Sequence, residues 1–191
     1  MLEQAQHPDD ENGCGLVDAL VGLMKDHQGF EFRFSRDVIK GILTNTYIGA
    51  VDTCAVTIIW AMAELVRKPH VLNKVQYEIR TIVGNKERVQ QDDMPKLKYI
   101  KTVVMETLRL HPVLPLLVLR ETMRHITVCG YDVPAKTRIF VNAWAIGRDP
   151  ANWGVNPEEF IPERFEGKDD MYFNQAQFDF LPFLAGRRMH Y

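Results

Sequence analysis

The sequence predicts a mainly α fold with a small β region. Three observations predict it. A stretch of some 30 residues from Ser35 to Val66 is mostly apolar over residues 47–63, and Asp52 is the only charge between Lys40 and Glu64. Two further apolar stripes at helical spacing follow, over residues 69–83 and 99–110. After His111-Pro112 the pattern changes to short strand-like runs separated by turn residues. The strand–helix alternation of a doubly wound parallel sheet is absent from the sequence pattern.

Residues 1–12 are polar and acidic, and we expect a disordered lead-in rather than a signal peptide. Leu16, Val17, Leu20, Val21, Leu23 and Met24 recur at helical spacing, so residues 15–27 read as a short amphipathic helix, broken by Gly29. Ser35 can cap the next helix, with Asp37 in its first turn where the helix end is positive. That helix is about 45 Å long at ~1.5 Å per residue. Pro69 ends it and opens the next helix at its first position. Val71, Leu72, Val75, Ile79, Ile82 and Val83 form the stripe of this third helix, closed by Gly84-Asn85. A loop with Pro95 follows, then the helix of residues 99–110. Residues 114–121 read as extended. Residues 126–128, 130–132 and 138–141 read as short strands. From Asp149-Pro150 onward the expectation is coil, with one helical turn near residues 157–160.

A chain of 191 residues fits a single domain, here residues 1–191 as one partial domain. With 46% hydrophobic and 25% charged residues the composition is globular. A net charge of −2 and no basic stripe give no nucleic-acid footprint. The three cysteines, Cys14, Cys54 and Cys129, are widely scattered, which argues against a disulfide framework or a zinc site. The long apolar helix invites a membrane reading. Asp52 near its centre would cost about 2.5–3.5 kcal/mol on insertion. We therefore expect no membrane span in this chain, and a core helix instead.

Four groups of residues carry the chemistry. Glu106 and Arg109 are three apart on a helix and share a face; as an isolated exposed pair they would contribute only ~0.2–0.5 kcal/mol. Val103, Val104, Met105, Leu108 and Leu110 surround them, so the pair is expected to be buried and to need a further partner. Arg164, in Pro162-Glu-Arg-Phe165, is the natural third member. Asp52-Thr53 lie inside the apolar helix, where a carboxylate is rare without a purpose. The alternative is a chance Asp on a solvated face, with Thr53 bonding back to a carbonyl one turn earlier. The chain's last residues read Phe180-Leu-Pro-Phe183-Leu-Ala-Gly186-Arg-Arg188-Met-His190-Tyr191.

In that order these groups resemble the cytochrome P450 family, the haem-thiolate monooxygenases, and most of all its plant microsomal members. The resemblance covers most of the chain. It implies a partial cytochrome P450 fold: a long central helix, a Glu-x-x-Arg helix, short strands and a meander-like coil. It implies that Glu106, Arg109 and Arg164 form a structural triad. It implies that Asp52 and Thr53 are the catalytic acid–alcohol pair that delivers protons. Arg120 and Arg188 are implied partners of haem propionates, with Phe183 and Gly186 fixing the register of the haem-binding loop. Ala50 and Leu184 stand where the family usually has glycine, and Leu119 where related plant sequences usually have proline.

In the family the loop supplies a cysteine, the only protein ligand to the iron; here His190 occupies that slot. Cysteine thiolate favours O–O cleavage, and imidazole donates less. Two functions follow from the resemblance. One is a fragment of a haem-thiolate monooxygenase, fed by an NADPH-dependent reductase at the endoplasmic reticulum and acting on a small lipophilic substrate. The alternative is a truncated, haem-free, catalytically inactive protein that acts at most by binding partners. A histidine-ligated haem binder is a third. The fragment alone would be cytosolic, and much of the long helix's apolar surface would lie uncovered.

Overall fold

The computed structural model describes residues 15–25, 35–168 and 178–182. It divides into two compact units, residues 1–53 and 54–191, with the boundary inside the long helix. In the first unit, α1 (Leu16–Lys25) buries Leu20, and the first half of α2 (Arg36–Arg67) buries Ile39. The Ser35 Oγ accepts the Val38 N–H at 3.3 Å, so α2 opens at the cap read from the sequence. By length and composition α2 could cross a membrane, and 11% of its most apolar stretch is buried. Tyr47, Ile48, Ile58, Ile59 and Val66 are exposed along it.

The second unit is built around an enclosed helix. Here α3 (Pro69–Val83) starts at Pro69 and stops at Gly84, whose φ of 59° favours glycine. A 3-10 helix, Gln91–Lys96, occupies part of the expected loop. It begins with a reciprocal cap between Gln90 and Asp93. Lys86 holds the buried Asp93 carboxylate at 2.7 Å and keeps its carboxyl below the usual range. Next, α4 (Lys98–Leu110) buries Tyr99, Val103, Met105, Glu106, Thr107, Leu108, Arg109 and Leu110. One apolar cluster joins it to α3 and the end of α2 through Leu65, Val71, Val75, Tyr99, Val103, Leu110 and Phe160. A second gathers Met105, Leu108, Trp153, Phe165 and Phe180. At the C-terminus of α4, His111 Nε2 lies 3.0 Å from the buried Glu64 carboxylate, and its ring stacks on Trp60 at 4.0 Å.

The β region consists of two antiparallel pairs. Strand β1 (Arg120–Glu121) pairs with β4 (Arg138–Ile139), and β2 (Ile126–Val128) with β3 (Tyr131–Val133). Thr122 braces this region: its hydroxyl donates to the Pro134 carbonyl and accepts the Thr137 N–H.

One expectation about the second half needs correction. Residues 114–121 are not extended throughout. Leu117 N–H bonds the Leu114 carbonyl at 3.0 Å, and Leu117 has φ 52°. Pro115 at the second position of this turn favours it, and the Pro115 and Leu116 carbonyls accept the Trp144 and Val141 N–H groups. Near residues 157–160 the chain closes a single turn, with the Glu159 N–H on the Asn156 carbonyl at 3.0 Å, and no helix continues from it. The short helices lie around them: α5 (Ala143–Ile146), α6 (Pro150–Trp153) and a 3-10 turn, Pro162–Phe165. The carbonyls that a longer helix would need there are taken by arginines.

Candidate functional site

The site grows from one turn of α4. Glu106 is fully buried and Arg109 is 2% exposed. Their side chains meet in two parallel bonds: Arg109 Nε to Glu106 Oε2 at 2.7 Å, and Nη2 to Oε1 at 2.7 Å. The i, i+3 spacing alone sets up this fork, and the planar guanidinium fits it. The remaining Arg109 donors reach the coil. Nη1 donates to the Gly147 carbonyl and to the Pro157 carbonyl at 2.7 Å, and Nη2 to the Glu159 carbonyl at 3.0 Å. All the N–H groups of the guanidinium are thereby engaged. Glu106 Oε1 also accepts the Ile161 N–H at 2.8 Å. The Trp153 ring lies 5.0 Å from the guanidinium carbon.

Arg164 comes to the same carboxylate from the 3-10 turn. Its Nε is 3.7 Å from Glu106 Oε1, an ion pair beyond hydrogen-bond reach. Its terminal nitrogens donate to the Trp153, Asn156 and Val155 carbonyls at 2.7, 2.6 and 3.1 Å. Together the two arginines take carbonyls of residues 147, 153, 155, 156, 157 and 159. That explains the irregular path of residues 154–161: its carbonyls answer to side chains instead of to a helix ladder.

The second α4 contact with this coil is a close approach. A Cβ on Gly147 would sit 2.4 Å from the Arg109 backbone oxygen. The obstacle is backbone and cannot rotate away. We expect Gly147→Ala to cost about 1–3 kcal/mol in urea unfolding, as overpacking does. A variant as stable as the parent would show that this approach is looser than the geometry says.

The other expected site residues are placed as follows. Asp52 is exposed on α2. Thr53 is half-buried, and its Oγ1 donates to the Gly49 carbonyl at 2.7 Å, the back-bond that the sequence left open. Both belong to the first unit; Glu106, Arg109 and Arg164 belong to the second. Arg120 is exposed at the start of β1. Phe183, Gly186, Arg188 and His190 lie outside the described residues.

Sequence reasoning missed a neighbouring network. Glu78 on α3 accepts the Tyr99 and Ile100 N–H groups at 2.7 and 3.0 Å, capping α4 from another helix. The Tyr99 hydroxyl donates to Glu163 Oε1 at 2.8 Å, and Lys74 Nζ reaches Glu163 and Glu166 at 3.0 and 3.1 Å. Burial and the Glu163 carboxylate push the Tyr99 hydroxyl well above the ordinary tyrosine range. Burial works against ionised Glu163, but the Tyr99 hydroxyl, its own backbone N–H and Lys74 outweigh it, holding that carboxyl below its ordinary range. Nothing in the spacing of these residues announces the contact.

Of the residues that the resemblance gives to the haem, Arg120 alone is among those described. Among the described residues no cluster of three or more His, Cys, Asp or Glu could hold a metal ion. Cys54 lies exposed on α2, and Cys129 lies exposed at the turn between β2 and β3 with φ 50°. Neither thiol belongs to the buried lock.

Comparison with known proteins bears on this frame. The family model for cytochrome P450 matches residues 2–189. The 4-hydroxyphenylacetaldehyde oxime monooxygenase of Sorghum bicolor is 57% identical over 183 residues, covering 95% of this chain and 34% of that protein. Cytochrome P450 71A1 of Persea americana is 49% identical over 173 residues, covering 91% of this chain and 34% of that protein. Among solved structures, a zebra fish cytochrome P450 with abiraterone superposes with a TM-score of 0.74 at 31% identity, covering 95% of this chain and 42% of that one. The chain thus spans about a third of the length of these curated relatives.

Proposed function

Because the chain belongs to the cytochrome P450 family, we propose that it supplies the frame of a haem-thiolate monooxygenase, an enzyme that inserts one oxygen atom of dioxygen into a small lipophilic organic substrate. The observation that carries this is the Glu106–Arg109 lock. A charged pair at zero side-chain exposure is expensive to bury, and its spare donors are aimed at the Gly147, Pro157 and Glu159 carbonyls of the segments that flank α6. That arrangement serves to hold the coil in place, with Arg164 as the second grip. In the family, haem supplies the oxygen activation.

On this proposal Asp52 and Thr53 form the proton relay of α2, at the Asp52 carboxyl and the Thr53 Oγ1. Thr53 already points its hydroxyl proton at the Gly49 carbonyl, and a relay needs that hydroxyl to turn. Arg120 and Arg188 would meet the propionates, with Phe183 and Gly186 shaping the loop. An NADPH-dependent reductase would deliver electrons to the whole protein at the cytosolic face of the endoplasmic reticulum, in secondary metabolism.

The second function is a haem-free protein that binds partners through the exposed apolar side of α2. His190 in the ligand slot favours it.

The carbon monoxide difference spectrum of the reduced, haem-loaded protein separates them, taken on the chain as it stands and on His190→Cys. The monooxygenase frame expects the thiolate-type Soret band in His190→Cys alone. An imidazole-type band in the unaltered chain that is lost in His190→Cys assigns His190 to the iron. No haem band in either protein overturns the proposal in favour of the haem-free one.

A further inference from the structure

The 3-10 turn Pro162–Phe165 is gripped from two sides. Arg164 faces the coil carbonyls and Glu106, while its neighbour Glu163 faces α3 and α4. On the Glu163 side, one carboxylate oxygen accepts both the Tyr99 hydroxyl at 2.8 Å and the Lys74 ammonium at 3.0 Å. Lys74 also spans to Glu166 at 3.1 Å, and its ammonium sits 4.0 Å from the centre of the Tyr99 ring. Tyr99 is 7% exposed and fixed at the first turn of α4, because Glu78 binds its N–H. It is therefore a rigid post, and Lys74 is a bridge anchored on α3.

We propose that Tyr99 and Lys74, acting through Glu163, form a second clasp that positions Arg164 against Glu106. Successive residues of a tight turn cannot move independently. Holding the Glu163 side chain on the α3–α4 side fixes the turn's rotation, and that rotation brings Arg164 Nε within 3.7 Å of Glu106. The two grips use different chemistry. The Glu106–Arg109 lock is dry, whereas the clasp is partly wet: the Lys74, Glu163 and Glu166 side chains are 49%, 39% and 55% exposed. Exposed ion pairs contribute little, so the part-buried Tyr99 hydroxyl carries most of the clasp and Lys74 adds to it. The clasp concerns this chain's own backbone and stands whether or not the haem proposal does.

Residue-resolved hydrogen exchange tests it on the intact chain. The Ile161 N–H, bound to Glu106, and the Glu166 N–H, bound to the Glu163 carbonyl at 3.1 Å, report the turn. Tyr99→Phe removes one hydroxyl and no ring, and is expected to speed exchange at both amides on the order of tenfold, the effect of losing one hydrogen bond to a charged group. Lys74→Met is expected to speed them about threefold, and Lys74→Arg to restore them. Amides of residues 105–110 in α4 should keep their rates. Unchanged exchange in Tyr99→Phe overturns the clasp. So does an equal acceleration throughout α4, which would mark a general loss of stability, and so does failure of Lys74→Arg to restore protection.

Discussion

Arg109→Met is expected to cost about 3–5 kcal/mol or more, the usual result of stripping one partner from a buried ion pair. Methionine has similar bulk, so the change isolates charge and hydrogen bonding from packing. It strands the Glu106 carboxylate at zero exposure, with only the Ile161 N–H and the more distant Arg164 left to it. It also leaves the carbonyls of Gly147, Pro157 and Glu159 without their donor. Domains are stable by only about 5–15 kcal/mol, so the loss is a large part of the whole. Urea unfolding followed by far-ultraviolet circular dichroism reads it. Arg109→Lys keeps the charge but offers three donors in place of a planar fork of five, so an intermediate loss is expected. Adding Glu106→Leu to Arg109→Met should recover part of the stability, because the stranded charge is then gone. A loss below about 1 kcal/mol in Arg109→Met would mean that the pair is solvated, and the lock would fall with it.

How much of this was legible in the sequence depends on the range of the interaction. Helix ends written in local chemistry were readable: Ser35 at the start of α2, Pro69 at the start of α3, Gly84 at its end. So was the pairing of Glu106 with Arg109, because three residues on a helix is a short distance in space as well as in sequence. The burial of that pair followed from its apolar neighbours. Of the contacts that needed distant partners, the approach of Arg164 to Glu106 was expected, and the others were not readable. Glu78 looks like any polar residue on α3, yet it caps a helix 21 positions away. Tyr99 and Glu163 are 64 apart and meet only because α4 and the 3-10 turn pack together. The turn expected near 157–160 closes once, between Asn156 and Glu159, and goes no further, because arginines from elsewhere take the neighbouring carbonyls. Residues 114–121 failed differently: the Pro115 turn was a local signal, but it was read as extension. Gly147 carried no visible mark at all, since its φ of −66° is ordinary and only the Arg109 backbone beside it forbids a side chain.

Phe165→Ala carries the other large effect, about 3–5 kcal/mol by the usual cost of deleting a buried aromatic ring. Phe165 is 1% exposed, with ring centres 5.6 Å from Trp153 and 5.1 Å from Phe180. Trp153 and Phe180 themselves meet edge-on at 6.4 Å, so the three rings close on one another and the middle one cannot be removed without a void. The cluster rests on Met105 and Leu108 of α4. It also touches the lock, because the Trp153 ring lies over the Arg109 guanidinium and the Trp153 carbonyl accepts from Arg164. Two consequences follow that a simple cavity would not produce. The fluorescence of Trp153 should shift towards that of a wetter indole even where the chain stays folded, best read in a variant that keeps Trp153 as its sole tryptophan. And the losses from Phe165→Ala and Arg109→Met should not add, since each loosens the tryptophan that the other relies on. Phe165→Leu fills most of the space and should cost less than half as much. Additive losses in the double variant, or an unmoved Trp153 spectrum, would show that the aromatic cluster and the charged lock are independent supports of the same coil.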